Sequence, residues 1–147
     1  MREPGAGSRK PGGGIGSFRD LHVWQESMAL TVAVYQLTKG FSRDEQFGLT
    51  SQIRRAVSSI PANIAEGYGR GTRAAYAGFL RIARGSLRET ETHLELCQRL
   101  DIGNVASIAK LLGDCDRLGA GLHGLITKLG TPERLPASGF RLPKDAA

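Results

Sequence analysis

The most restrictive feature of this sequence is a set of four long segments in which apolar residues recur with the period of a helix. The clearest runs from about residue 105 to 129, where these side chains share one broad face: Val105, Ile108, Leu111, Leu112, Cys115, Leu118, Leu122, Leu125 and Leu129. Their spacing matches 3.6 residues per turn. Similar runs cover about 20–39, 42–67 and 72–100, and no segment alternates like a strand. Because short loops between long helices imply antiparallel neighbours, we expect an all-α, antiparallel up-and-down four-helix bundle.

Composition outside these runs predicts the domain boundaries. Residues 1–17 are rich in Gly and Pro and predict a disordered tail, and residues 131–147, with three prolines, predict a flexible C-terminal tail. One domain is then expected at 18–130. No apolar stretch is long enough to span a membrane, and no secretory signal is recognisable. Two cysteines, Cys97 and Cys115, do not make a disulfide framework, so we expect a cytoplasmic protein.

The first run is apolar on two sides. One stripe contains Leu21, Trp24, Met28, Val32 and Tyr35. The roughly opposite stripe contains Val23, Leu30, Val34 and Leu37. A helix that is apolar on two sides is normally buried on two sides. One side is therefore expected to face the core, and the stripe with Val23 is predicted to form an oligomer interface with another subunit.

Local signals predict where the helices begin and bend. Ser42 and Glu45 have the spacing of a capping box for the second helix, and Thr72 and Asn104 can cap the third and fourth. Pro61 removes one backbone hydrogen bond and predicts a bend in the second helix. Three small residues inside the third run predict close approach of a neighbouring helix; they are Gly78, Gly85 and Ser86.

No catalytic or metal site is predicted. His22, His93 and His123 fall on three different helices, no Glu-x-x-His pair is present, and two thiols are too few for a zinc site. The glycine-rich stretch 67–71 lacks the preceding strand and the lysine of a phosphate-binding loop, so it predicts a helix cap and turn. We therefore expect no enzyme activity, no metal and no cofactor.

Positive charge is concentrated in the middle of the chain. The formal net charge is +6, and 15 of the 20 cations are arginine. Between residues 54 and 88 there is a single acid, Glu66, and the cations are Arg54, Arg55, Arg70, Arg73, Arg81, Arg84 and Arg88. The last three project within about 60° of each other on the third helix. They form either a solvated face, paired in part with Glu91 and Glu95, or a basic surface for phosphates, which arginine contacts bidentately.

Three segments resemble one known family. Residues 49–70, LTSQIRRAVSSIPANIAEGYGR, resemble the signature of the four-helix-bundle proteins called 23S rRNA-intervening sequence proteins. Residues 18–25, FRDLHVWQ, and 83–89, ARGSLRE, are similar to that family's opening and third helix. The resemblance covers about 18–129 and implies a bacterial-type bundle that assembles as a homopentamer. A related branch, the accessory variability determinants (Avd) of diversity-generating retroelements, forms basic pentamers that work with a reverse transcriptase and its RNA. The family has no agreed catalytic residues.

Two functional hypotheses follow. In the first, the protein is a non-enzymatic homo-oligomer whose seven arginines bind RNA or DNA by backbone electrostatics, alone or beside a reverse transcriptase or other nucleoprotein. In the second, it is an oligomeric scaffold or adaptor for another protein, and the charge serves solubility. A fold alone does not choose between them.

Overall fold

A computed structural model describes residues 16–130, and in this range the chain is all-α. Its four long helices are α1 (His22–Thr38), α2 (Leu49–Gly69), α3 (Arg73–Leu100) and α4 (Val105–Gly130). Short 3-10 helices cover Phe18–Asp20 and Arg43–Glu45. No strand occurs between residues 16 and 130. The all-α prediction is therefore confirmed. The tails predicted at 1–17 and 131–147 lie outside the described residues except for Gly16 and Ser17, and Ser17 caps the first 3-10 helix by accepting from the Arg19 N–H.

One hydrophobic core is shared by all four helices. Its fully enclosed members include Val34 of α1, Ile60 of α2, Leu87 of α3 and Leu122 of α4. Cys97 and Cys115 are buried in the same core as free thiols. Burial of aliphatic side chains at about 1.5–3 kcal/mol each supplies the main stabilisation of a bundle of this kind. No helix in the described part of the chain is long and apolar enough to cross a membrane.

The two apolar stripes of α1 exchange the roles that the sequence predicted. Val23, Leu30 and Val34 are buried in the bundle's own core, and Leu37 packs against it. These four residues are the ones predicted to face another subunit, so that assignment is corrected. Ser27 and Thr38 are buried on the same side because their hydroxyls donate to the carbonyls of Trp24 and Val34 in their own helix.

The opposite stripe of α1 reaches the surface, except at Leu21, which is buried in the core. Met28 is 39% exposed, Val32 is 53% exposed and Tyr35 is 40% exposed. Trp24 belongs to this stripe but is half-buried, and its ring meets Phe18 edge to face at 5.3 Å. We call Met28, Val32 and Tyr35 the outer stripe of α1.

Helix α2 begins later than its sequence predicts. Ser42 accepts no side-chain capping bond, and the segment after it is a 3-10 turn, so the capping-box prediction is wrong. The α-helix starts at Leu49 and continues through Pro61 to Gly69. Pro61 has no N–H, and it therefore leaves the Val57 carbonyl without its usual helical donor. The Thr31 hydroxyl of α1 lies 3.2 Å from that carbonyl oxygen and 2.7 Å from the Ser27 carbonyl oxygen of its own helix, so its single proton is shared between the two acceptors.

The close approach of α2 and α3 is centred on a different glycine from those predicted. A Cβ placed on Gly67 would lie 2.5 Å from the Cβ of Phe79, so only glycine fits there. At Gly78 and Gly85 an added Cβ would meet nothing within 4 Å, and close approach at these two positions is not found within residues 16–130. Ser86 does contact α2, since its hydroxyl lies 2.9 Å from the hydroxyl of Ser59.

The caps of α3 and α4 are confirmed. The Thr72 hydroxyl accepts from the Ala75 N–H at 3.2 Å, and the Asn104 side chain accepts from the Ser107 N–H at 2.8 Å. Between these helices the chain turns through Asp101, at φ 56°, and Gly103, at φ 89°. This left-handed backbone ends α3 abruptly and directs the chain into α4.

Candidate nucleic-acid interface

The seven arginines of the predicted binding surface do not form one patch. Arg54 is part of the scaffold. Its Nε donates to the Thr38 hydroxyl at 2.8 Å, one terminal nitrogen donates to the Tyr35 carbonyl at 3.2 Å, and its guanidinium lies 4.4 Å from the centre of the Tyr35 ring. These contacts cap the end of α1 and attach it to α2. Arg54 therefore belongs to the structure of the bundle.

Arg55 on α2 and Arg70, directly after its end, are exposed and form contacts with neighbouring side chains. Arg55 donates to the Gln52 side chain at 3.2 Å. Arg70 pairs with Glu66 at 2.7 Å, and its guanidinium lies 4.8 Å from the Phe79 ring centre. Because the charge of Arg70 is partly offset by Glu66, the positive surface of α2 is weaker than its sequence indicates.

The other four arginines lie along α3, and three of them contact α4. Arg73 donates to the carbonyls of Lys128 and Leu129 at 3.2 and 3.1 Å. A terminal nitrogen of Arg81 would lie 3.4 Å from a Cβ placed on Gly130, and one of Arg88 would lie 3.3 Å from a Cβ placed on Gly119. We call the four residues the arginine row; they are Arg73, Arg81, Arg84 and Arg88.

Glycines of α4 shape the surface beneath this row. Gly119 is buried and has no side chain, so the Arg88 guanidinium can lie directly against the α4 backbone. Gly130, at the end of the same helix, also lacks a side chain, so the Arg81 guanidinium can lie against the backbone there. The sequence analysis did not connect α4 with the arginines. The sequence feature that could have indicated this contact is the presence of glycines in a helix whose apolar face is otherwise continuous.

The acidic partners of the row are unevenly distributed. Arg88 pairs with Glu91 at 2.6 Å, which confirms that part of the charge is neutralised on the helix surface. Arg81 and Arg84 make no ion pair with any residue between 16 and 130. The positive potential of the row is therefore least compensated at Arg81 and Arg84.

The pKa of the Cys115 thiol is affected by the Arg88–Glu91 pair. Burial raises the pKa of Cys115 to about 12, with further increases from the carboxylates of Glu91, Asp114 and Asp116. Arg88 acts in the opposite direction on the same pKa. Burial likewise raises the pKa of the Cys97 thiol. Both thiols are consequently protonated near neutral pH and are poor nucleophiles or metal ligands.

The described residues assemble no metal site. Between residues 16 and 130 no group of three or more His, Cys, Asp or Glu side chains could hold a metal ion. His22 and His123 are exposed, and His93 lies 3.7 Å from Glu89 on its own helix. What this surface can do chemically is contact anions through the guanidinium groups of the arginine row.

The family assignment agrees with this fold. The sequence pattern of the 23S rRNA-intervening sequence protein family matches residues 19–124. The chain belongs to this family. Among solved structures, it is similar to a crystal structure of a protein with unknown function from the S23 ribosomal protein family of Bacteroides thetaiotaomicron VPI-5482. The two are 28% identical with a TM-score of 0.66, over 71% of this chain and 95% of the other. No curated protein matches the chain.

Proposed function

We propose that this family member is a non-enzymatic nucleic-acid-binding protein whose arginine row contacts the phosphate backbone of RNA or DNA. The observation that carries the proposal is the pair Arg81 and Arg84, which lie on one side of α3 without an acidic partner in the described chain. Arg73 lies on the same side and is held against α4 by its hydrogen bond to the Lys128 carbonyl, and it extends the positive surface towards the start of α3. Arg88 extends it in the other direction, less strongly because of its ion pair with Glu91. Arginine suits this role because its planar group can donate two parallel hydrogen bonds to a phosphate.

The contacts would be electrostatic and independent of base sequence. Each neutralised phosphate releases counterions, so the affinity falls steeply with salt. The row offers guanidinium groups and no exposed aromatic side chain of its own for base stacking. We therefore propose positioning on a nucleic acid rather than reading of its bases.

Assembly is the second part of the proposal. Contacts of Arg73 with Leu129 and of Arg88 with the Gly119 region support an antiparallel order of α3 and α4. The outer stripe of α1 is exposed on a single chain, and we propose that it contacts another copy in a homopentamer, the state that the family resemblance implies. Repetition of the arginine row around a ring would concentrate its positive field. A reverse transcriptase or other cytoplasmic nucleoprotein is the proposed larger partner.

Binding is tested with a charge reversal on the row and a matched reversal elsewhere. The test variant is R81E/R84E. The control, K39E/R43E, changes the net charge equally at exposed residues around the end of α1. Fluorescence anisotropy with a labelled single-stranded RNA at about 50 mM salt should show binding by the wild type and the control and at least a tenfold loss in R81E/R84E. Equal effects of the two variants would refute the arginine row as the site.

A scaffold or adaptor role is the competing function, and the outer stripe of α1 is the feature that favours it. If the wild type binds no RNA or DNA at low salt but captures one protein partner after nuclease treatment, the scaffold hypothesis replaces the nucleic-acid proposal. Light scattering should give a mass near five times 15.8 kDa. Val32→Glu should reduce that mass, because Val32 is the most exposed residue of the stripe, and a monomeric wild type would refute the proposed assembly.

A further inference from the structure

The ion pair between Arg88 and Glu91 distinguishes Arg88 from the rest of the arginine row. The Arg88 Nη1 donates to Glu91 Oε1 at 2.6 Å, a short distance for a charge-assisted bond. Arg88 itself is 57% exposed in its side chain, so a phosphate can reach it. One residue of the row is thus accessible and already occupied by an anion of the same chain.

The carboxylate of Glu91 is held in place by its surroundings. The Glu91 side chain is only 15% exposed, unlike that of Arg88. It is close enough to the buried Cys115 thiol to act on its ionisation. An acid enclosed in this way pairs with the nearest cation, because an unpaired charge in a poorly solvated position is costly. A phosphate therefore has to compete with Glu91 for Arg88.

We propose that Glu91 is an intramolecular competitor that occupies Arg88 and limits the affinity of the arginine row for phosphate. The inference rests on the proposed function, since it concerns the strength of that same site. Glu91 acts through Arg88 and is not itself a ligand of the nucleic acid. Its removal should add one phosphate contact to the site without creating any new cation.

The substitution Glu91→Gln tests this inference with a closely matched control. Glutamine keeps the size of the side chain and can still accept a hydrogen bond, but it lacks the charge. Glu95→Gln removes the same charge one turn later on α3, where Glu95 is exposed and has no ion-pair partner within residues 16–130. Both variants are compared with the wild type by anisotropy with single-stranded RNA, after circular dichroism confirms equal helicity.

One additional phosphate contact on a single strand increases the salt slope by about 0.7 and the affinity about fivefold at 0.1 M salt. We expect this change in Glu91→Gln and a smaller gain, with an unchanged slope, in Glu95→Gln. The double variant R88Q/E91Q has the net charge of the wild type and should lose the gain, because Arg88 is the residue that is released.

The possible failures are distinguishable. If the wild type binds RNA and R81E/R84E weakens it, but Glu91→Gln and Glu95→Gln behave alike, the competitor role is refuted and the proposed function stands. Weaker binding by Glu91→Gln also refutes it, since Glu91 would then position Arg88 for the phosphate. If the wild type does not bind, the proposed function fails and this inference fails with it.

Discussion

The hydrogen bond from Thr31 to the Val57 carbonyl gives the sharpest prediction about stability. Pro61 deprives this carbonyl of its helical donor, and the Thr31 hydroxyl of the neighbouring helix, 3.2 Å away, replaces that donor in part. The replacement is partial because the single hydroxyl proton is shared with the Ser27 carbonyl at 2.7 Å. Thr31→Val removes the hydroxyl at nearly constant volume, and the two residues have similar helix propensities. A buried acceptor left without a partner costs about 1–3 kcal/mol. Because the proton is shared with Ser27, the free energy of unfolding should fall by about 1 kcal/mol, the low end of that range.

Urea unfolding measures this loss. With a urea m-value of about 2 kcal/mol/M, the midpoint should fall by about 0.5 M, provided all variants are compared at one protein concentration. Thr90→Val is the control: the Thr90 hydroxyl is buried and donates to the Ser86 carbonyl, which keeps its helical N–H donor. Its loss should therefore cost less than that of the Thr31 hydroxyl.

A double-mutant cycle with Pro61→Ala isolates the cause. Alanine at position 61 restores an N–H that can donate to the Val57 carbonyl, so Thr31→Val should become milder in that background by about half of its cost. If Thr31→Val costs the same with proline and with alanine at position 61, the carbonyl is not what Thr31 satisfies, and the reasoning is refuted.

Three further predictions concern the packing and ionisation of single residues. Gly67→Ala should lower the free energy of unfolding by about 1–3 kcal/mol, because its Cβ would lie 2.5 Å from that of Phe79, whereas Gly78→Ala, with open space around it, should be neutral or stabilising in the same urea assay. Burial raises the pKa of Tyr76 to about 12, so the contribution of Tyr76 to stability should be full below about pH 10 and fall as the pH rises towards 12. The Cys97 and Cys115 thiols, whose pKa values are also raised, add a loss of their own in this range, so Tyr76→Phe should reduce the fall in the urea midpoint between pH 9 and 11 without abolishing it. The Cys115 thiol, with its pKa raised to about 12, should resist alkylation in the native protein at pH 8 and react in urea; native reactivity like that of a free thiol would contradict its burial.

Helix positions were largely predictable from this sequence because strong local signals coincide with the apolar period. Thr72 and Asn104 cap α3 and α4 as expected. At the start of α2 the same kind of signal failed. Ser42 and Glu45 have capping-box spacing, but Gly48 follows them and the continuous helix begins only at Leu49.

The side of α1 that faces the core was not predictable from the sequence pattern, because both sides of the helix are apolar. The choice is made by packing, and the buried side includes Ser27 and Thr38, whose hydroxyls are satisfied by their own helix. The side chains and carbonyls that the arginines contact were also not predictable from the sequence. That Arg54 caps α1 depends on how α1 and α2 are placed, and sequence spacing carries no information about that placement.

Binding through the arginine row is tested most directly by the salt dependence of RNA affinity. The logarithm of the association constant of the wild type, plotted against the logarithm of salt concentration, should fall with a slope of about −0.7 per phosphate contact on a single strand. Loss of Arg81 and Arg84 in R81E/R84E should make the slope shallower by at least about 1.4, and K39E/R43E should leave it unchanged. An identical slope in the wild type and R81E/R84E, or no salt dependence in the wild type, would contradict the assignment of these two arginines as phosphate ligands.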